Sequence, residues 1–361
     1  MECRLLNKLT GFTVLPGNLG AESEERLKNI ATDAAKRGMQ NLILDSRPLE
    51  HMNSAGASVL VKLAAAAKKR RLKLLVFGLS RRYREIFNLT GLNEAIAFLD
   101  EKERESGMLS DDEMGQLKKA AVPNGRQDDR GWAPDIDRLK VAEHPKGAMD
   151  KNVDGRRVLG PLQGFGPMWQ KTYQLPINKS GMQPHEVMEI MRNNFPAFQP
   201  PENDFYATGR GIAAGEIVLI DSSTPGGVVS TGVLVSYLDE SSFTLITPEG
   251  HPEAGWVTFS AVKRDDSLEM QIQGLARASD PLYELAFRIA GSKLQESIWR
   301  HVLSSLAAYL KVEPAVQVTK ICIADDLQWG KTGNLWYSAQ IRSLPYNIPR
   351  LFSKPPKSAR S

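Results

Sequence analysis

The sequence predicts an α/β domain followed by an α+β domain. Residues 41–91 carry two short apolar strands separated by an alanine-rich helix, the order of a parallel βαβ unit. Residues 216–275 hold a series of strand candidates joined by short, turn-rich connectors, the pattern of an antiparallel meander. Residues 281–310 then repeat apolar side chains at helical spacing, a stripe that must pack against something. At 361 residues the chain is long enough for two compact domains. Its 42% apolar and 24% charged residues are ordinary for a globular protein.

In the first domain, residues 1–103, Phe12-Thr13-Val14-Leu15 reads as the opening strand and Leu42-Ile43-Leu44 as a second. The turn Asn53-Ser54-Ala55-Gly56 leads into the alanine-rich helix. Lys68-Lys69-Arg70-Arg71 closes that helix, where cations suit the negative end of the dipole. A strand over 72–79 and a short helix ending Leu89-Thr90-Gly91-Leu92 follow. Residues 104–157 lose periodicity and fill with Asp, Lys, Gly and Pro, as in Val122-Pro123-Asn124-Gly125. That is the composition of a flexible linker, with room for a short amphipathic helix within 111–121.

The second domain, residues 158–315, opens with a strand over 167–177 that sets Trp169 and Tyr173 on one face. A helix over 184–194 has Pro184 in its first turn and Val187, Met188 and Met191 at helical spacing. Strands are expected at 216–220, 229–238, 242–247, 256–262 and 268–275. Their connectors include Thr224-Pro225-Gly226-Gly227, Asp239-Glu240 and Asp265-Asp266. Asp280-Pro281 is a strong helix start, and Leu294, Ile298, Val302, Leu306 and Leu310 recur every fourth residue after it. Gly291 marks a kink or a close approach within that helix. A long C-terminal helix lying across the antiparallel sheet is the economical packing. Residues 316–361 remain as a C-terminal extension with a basic tail.

No apolar run reaches the roughly 20 residues of a spanning helix, so no transmembrane segment is expected. Arg4, Asn7 and Lys8 interrupt the first residues, which therefore lack a secretory apolar region. Cys3 and Cys322 make no metal or redox motif, and the expected location is the cytoplasm. A net charge of +4 does not argue for nucleic acid, and no nucleic-acid partner is expected. Yet no Asp or Glu follows Asp326, whereas Lys331, Arg342, Arg350, Lys354, Lys357 and Arg360 do. That tail is either a frayed soluble terminus or a contact for acidic lipid or RNA. No metal and no cofactor is expected, because the histidines show no ligand spacing. Gly164-Phe165-Gly166 and Gly209-Arg210-Gly211 lack a following Gly-Lys-Ser/Thr and read as turns.

The segments Leu42 to Asp45, Asn53 to Gly56, Val76-Phe77-Gly78-Leu79-Ser80 and Leu89-Thr90-Gly91-Leu92 together resemble the STAS domain of anti-sigma factor antagonists and sulphate-transporter tails. The resemblance implies a mixed sheet with helices and a protein partner, a kinase-type anti-sigma factor among the candidates. It places Ser54 at that family's phosphoacceptor and Asn53, Ala55 and Gly56 in the partner-binding loop. Asn53 stands where the family usually carries Asp. In the second domain, the element order and the turn Gly250-His251-Pro252-Glu253 resemble an uncharacterised START-like, helix-grip family.

Each candidate site has two readings. Ser54 is a phosphoacceptor that switches docking, or it caps the helix through its hydroxyl. Trp169, Tyr206, His251, Glu253, Trp256 and Phe287 line a cavity for an apolar small molecule, or such residues form a dry core. His251 with Glu253 offers acid–base chemistry, or a structured hairpin turn. The expected function is a non-enzymatic regulatory and interaction protein; the alternative is an enzyme acting on a small apolar substrate around His251 and Glu253.

Overall fold

The computed structural model describes residues 1–99, 109–121, 127–179, 181–224, 227–264 and 267–352, with backbone alone at 264, 290–294 and 347–352. The boundary near Glu103, the stretch from Val122 to Arg126, the turn residues Pro225-Gly226 and Asp265-Asp266, and the tail from Ser353 lie outside them.

The N-terminal unit runs β1 (Arg4–Leu5), β2 (Thr10–Val14), β3 (Asn18–Leu19), α1 (Glu24–Lys36), β4 (Asn41–Asp45), β5 (His51–Met52), α2 (Ser54–Lys69), β6 (Lys73–Phe77), α3 (Arg81–Thr90) and β7 (Ile96–Phe98). Its sheet has the order β1-β2-β4-β6-β7, parallel except for the β1–β2 hairpin. The alternation of β4 and β6 divides the core. Leu42, Leu44, Leu74 and Val76 pack in the cluster that includes residues of α1, α2 and α3, while Ile43 and Leu75 point the other way. That second face is covered by α4 (Asp111–Ala120) through Met114 and Leu117.

The linker expectation is corrected here. A capping box between Ser110 and Glu113 starts α4, and Arg47, paired with the buried Asp45, donates to the carbonyls of Leu117 and Lys118. Farther on, Trp132, Ala133, Leu139 and Val153 are buried. The described residues of this segment form an apolar strap, because sparse hydrophobic side chains find a seam between two larger bodies.

The C-terminal unit runs β8 (Val158–Leu159), β9 (Met168–Ile177), α5 (Pro184–Asn194), β10 (Asn203–Ala207), β11 (Ile217–Thr224), β12 (Gly227–Leu238), β13 (Ser242–Pro248), β14 (Glu253–Arg264) and β15 (Ser267–Ala278). After it come α6 (Pro281–Ala286), a π-helical turn at Phe287–Gly291, α7 (Ser292–Leu310), β16 (Gln317–Ala324), a 3-10 segment at Trp329–Tyr337 and α8 (Ala339–Phe352). The antiparallel sheet has the order β10-β11-β12-β13-β14-β15-β9-β16. Asp280 caps α6 by accepting from the Tyr283 amide, and Gly291, where a kink or a close approach was expected, ends a π-helical turn. β10 and β16 have no counterpart in the sequence reading. β16 pairs with β9, so the sheet continues beyond residue 315 into what was expected as an extension.

One sheet face carries Tyr173, Leu175, Phe243, Phe259 and Met270 against α5 and the end of α7, a helix-grip-like arrangement. The opposite face carries Leu219, Leu234, Ile246, Trp256 and Leu275, which share one core with the N-terminal unit. Trp256 Nε1 donates to Ser58 Oγ of α2 at 2.9 Å, and Lys62 of α2 donates to Gln170 of β9 at 2.9 Å.

Candidate functional site

The residues singled out by sequence fall in two places. The first is the start of α2. Asn53, not Ser54, is the cap: its side-chain oxygen accepts from the Gly56 amide at 2.9 Å, which makes Ser54 the first helical residue. A Cβ at Gly56 would lie 2.1 Å from the Leu19 carbonyl oxygen, so glycine is what lets α2 press against β3. Ser54 is only 3% exposed, while Asn53 and Ala55 are half-buried.

The approach to this loop is tightly held. The Met52 amide donates to the Tyr83 hydroxyl at 2.9 Å, and the Met52 carbonyl accepts from Trp132 Nε1 at 2.7 Å. The Tyr83 hydroxyl in turn donates to the Asp128 carbonyl at 2.7 Å, and burial pushes its pKa up to about 12. Tyr237 of β12 bonds Asp239 at 2.9 Å and stands 3.3 Å from His51 Nε2. A cavity of about 650 Å³ opens beside the loop, with Glu50, Asp128, Asp239 and Glu240 in its wall against Arg130 and His51. Its four carboxylates against one arginine disfavour a further negative charge.

The second place is a cavity of about 420 Å³ between the sheet and the first turns of the long helix. Of the residues expected to bind a ligand, it gathers Trp169, Glu253 and Phe287. Lys171, Arg277 and Gln295 join them. Gln295 accepts from Lys171 and donates to the Glu253 carboxylate at 2.6 Å. Burial raises the Glu253 pKa, an effect opposed by the nearby Lys171. His251 stands behind this wall, its Nδ1 accepting from the Glu253 amide at 3.1 Å, and burial pulls its pKa down to about 4. The imidazole is therefore neutral and occupied with the turn, away from the Glu253 carboxylate.

Two expected ligand residues sit elsewhere. Trp256 points through the sheet to α2, because it is three residues from Phe259 and a strand alternates its faces. Tyr206 pairs in register with Leu219 and packs with the same far-side core. The middle of the grip is dry: Phe195 stands 5.1 Å from Phe259, which stacks on Phe243 at 4.6 Å and meets Trp299 at 5.6 Å. Sequence reading missed Lys171 and Arg277. Their signal was present as cations within strands, Lys171 in phase with the inward Tyr173. Arg277 is 4% exposed; its Nη1 donates to the Gly166 carbonyl at 2.9 Å. Its Nε has no hydrogen-bond partner among the described residues.

Residues 11–105 match the STAS domain family model. Among solved structures, the chain is similar to the di-domain ARO/CYC StfQ of the steffimycin biosynthetic pathway, at 11% identity and a TM-score of 0.33. That match covers 40% of this chain and 51% of the other, so it spans about half of StfQ. The anti-sigma factor antagonist SpoIIAA in its unphosphorylated form matches at 18% identity and a TM-score of 0.26, over 30% of this chain and 98% of SpoIIAA. The phosphorylated form of this Bacillus cell fate determinant matches at 18% identity and a TM-score of 0.25, over 29% of this chain and 96% of that one. No curated protein matches the chain. Among the described residues, no helix is long and apolar enough to cross a membrane.

Proposed function

Starting from a STAS domain over residues 11–105, we propose a non-enzymatic cytoplasmic regulator whose docking face is held by its own C-terminal sheet. The observation that carries this reading is the burial of α2: Ser54 is 3% exposed, and Ser58 one turn later accepts from Trp256. A protein partner, of the kinase-type anti-sigma class in this reading, competes with the sheet for α2. Phosphate on Ser54 acts on the same contact. It adds about −2 charge at a covered position beside an acidic cavity, so desolvation and repulsion both favour separation of the units.

The cavity at Trp169 and Phe287 supplies the second input. Its aromatic rings suit an apolar ligand, and the Lys171 cation suits an anionic group on it. Only the thickness of the sheet separates ligand from interface. On β9, Trp169 and Lys171 face the cavity while Met168 and Gln170 face the STAS side. The neutral His251 and the amide-bound Glu253 favour binding over acid–base turnover.

Hydrogen exchange across residues 54–69 of the full chain tests the reading. Ser54→Asp and Trp256→Ala are each expected to speed exchange there by about tenfold or more while α5 and α7 stay protected. Unchanged protection of α2 in both variants would sink the proposed release. Intact mass spectrometry of the native protein, with peptide mapping, then reports phosphate on Ser54 and any mass lost on denaturation.

A further inference from the structure

We infer that the surface built by the 3-10 segment Trp329–Tyr337 and by α8 docks on an anionic lipid bilayer. The helix is inside out. Ser338, Ala339 and Ser343 are fully buried against the body of the protein, with Ser343 Oγ accepting from Asn152 at 3.2 Å and from the Ser230 amide at 3.3 Å. The Ala339 amide donates to the Gly250 carbonyl at 2.8 Å, which pins the start of α8 to the Gly-His-Pro turn. The large apolar side chains face outward instead: Trp336 is 79% exposed, Ile341 42%, Leu344 46% and Tyr346 47%. Leu285 and Ile289 add to the exposed apolar area at 58% and 77%. α6, which carries Leu285 and runs into the π turn of Ile289, is tied to α8 by the Gln340 amide, which donates to the Tyr283 hydroxyl at 2.8 Å.

Charge identifies what this surface meets. In the sequence no Asp or Glu follows Asp326, while Lys331, Arg342, Arg350, Lys354, Lys357 and Arg360 do, the last three lying outside the described residues. Lys331 is paired with Glu94, whereas Arg342 is exposed on α8; exposed apolar side chains, Trp and Tyr beside such a cation are what a headgroup layer of negative lipids accepts. The contact lies in the plane of the bilayer surface, since no described helix has the length and hydropathy to span it. A protein partner of ordinary mixed charge would give no reason for thirty-five residues without one acid.

Co-sedimentation of the full chain with vesicles tests this, comparing pure phosphatidylcholine with a mixture containing about 30 mol% phosphatidylglycerol. Binding to the anionic vesicles is expected, falling steeply with salt, with a blue shift of tryptophan emission. Trp336→Ser with Leu344→Ser should weaken it by about tenfold or more, and Arg342→Glu should weaken it and reduce its salt dependence. Both variants alter exposed side chains, and an unchanged melting curve checks that the fold persists. Absence of binding to either vesicle, or binding that the double variant retains, overturns the inference. So does self-association that the double variant abolishes, which would make a second copy of the chain the cover.

Discussion

Gly56 shows how much one missing methyl can decide. With the Leu19 carbonyl oxygen 2.1 Å from where a Cβ would be, Gly56→Ala must push α2 away from β3. A loss of about 1–3 kcal/mol is expected in urea unfolding, the usual cost of overpacking. His251 sets a pH dependence. Its ordinary pKa of 6.5 falls to about 4 in the fold, so between those values the unfolded chain takes up a proton that the native chain does not. Stability from this group is complete above pH 6.5 and is lost as the pH falls toward 4. The melting temperature should therefore drop less over that interval in His251→Asn, which keeps an acceptor for the Glu253 amide.

Among the elements, the strap is the one that converts two bodies into one. Trp132 is 7% exposed, donates to the Met52 carbonyl, and meets the Tyr237 ring edge-on at 5.1 Å. Trp132→Ala is expected to cost about 3–5 kcal/mol and to raise amide exchange at His51 and Met52 before the strands of the large sheet respond. Protection at those amides equal to the parent would show that the strap is not what secures the loop. α2 is unusual for a different reason. Its burial is nearly all-round, from Ala57 to Ala67, which is what a helix packed between two sheets requires.

For the whole molecule, the core that joins Leu42 and Leu74 to Trp256 and Leu275 couples the two units. A single calorimetric transition is expected, where weakly joined domains would give two. The peripheral ion pairs Lys68–Asp326, Lys69–Asp325 and Lys331–Glu94 are partly or largely exposed and add little. The single transition should consequently survive about 1 M salt, because screening leaves apolar burial intact. Two resolved transitions in the parent protein would refute the shared core.

Local chemistry was legible in the residues themselves. The βαβ order around Asn53 to Gly56, the start of α5 at Pro184, the meander and the Asp280 cap all follow from periodicity, turn residues and capping, which act over a few residues. Trp169, Glu253 and Phe287, expected around one cavity, do line a common one, but which face each sheet residue takes depends on register, and Trp256 and Tyr206 went to the other side. Partners across long sequence distances leave no local mark. The pairing of β16 with β9, the strap through Trp132, and the contact of Ser58 with a sheet some two hundred residues later are products of tertiary packing. Sequence by itself determined the two folds and the chemistry each can offer; only the tertiary structure decided that one fold lies across α2 of the other, because buried area is set by what the chain brings together in space.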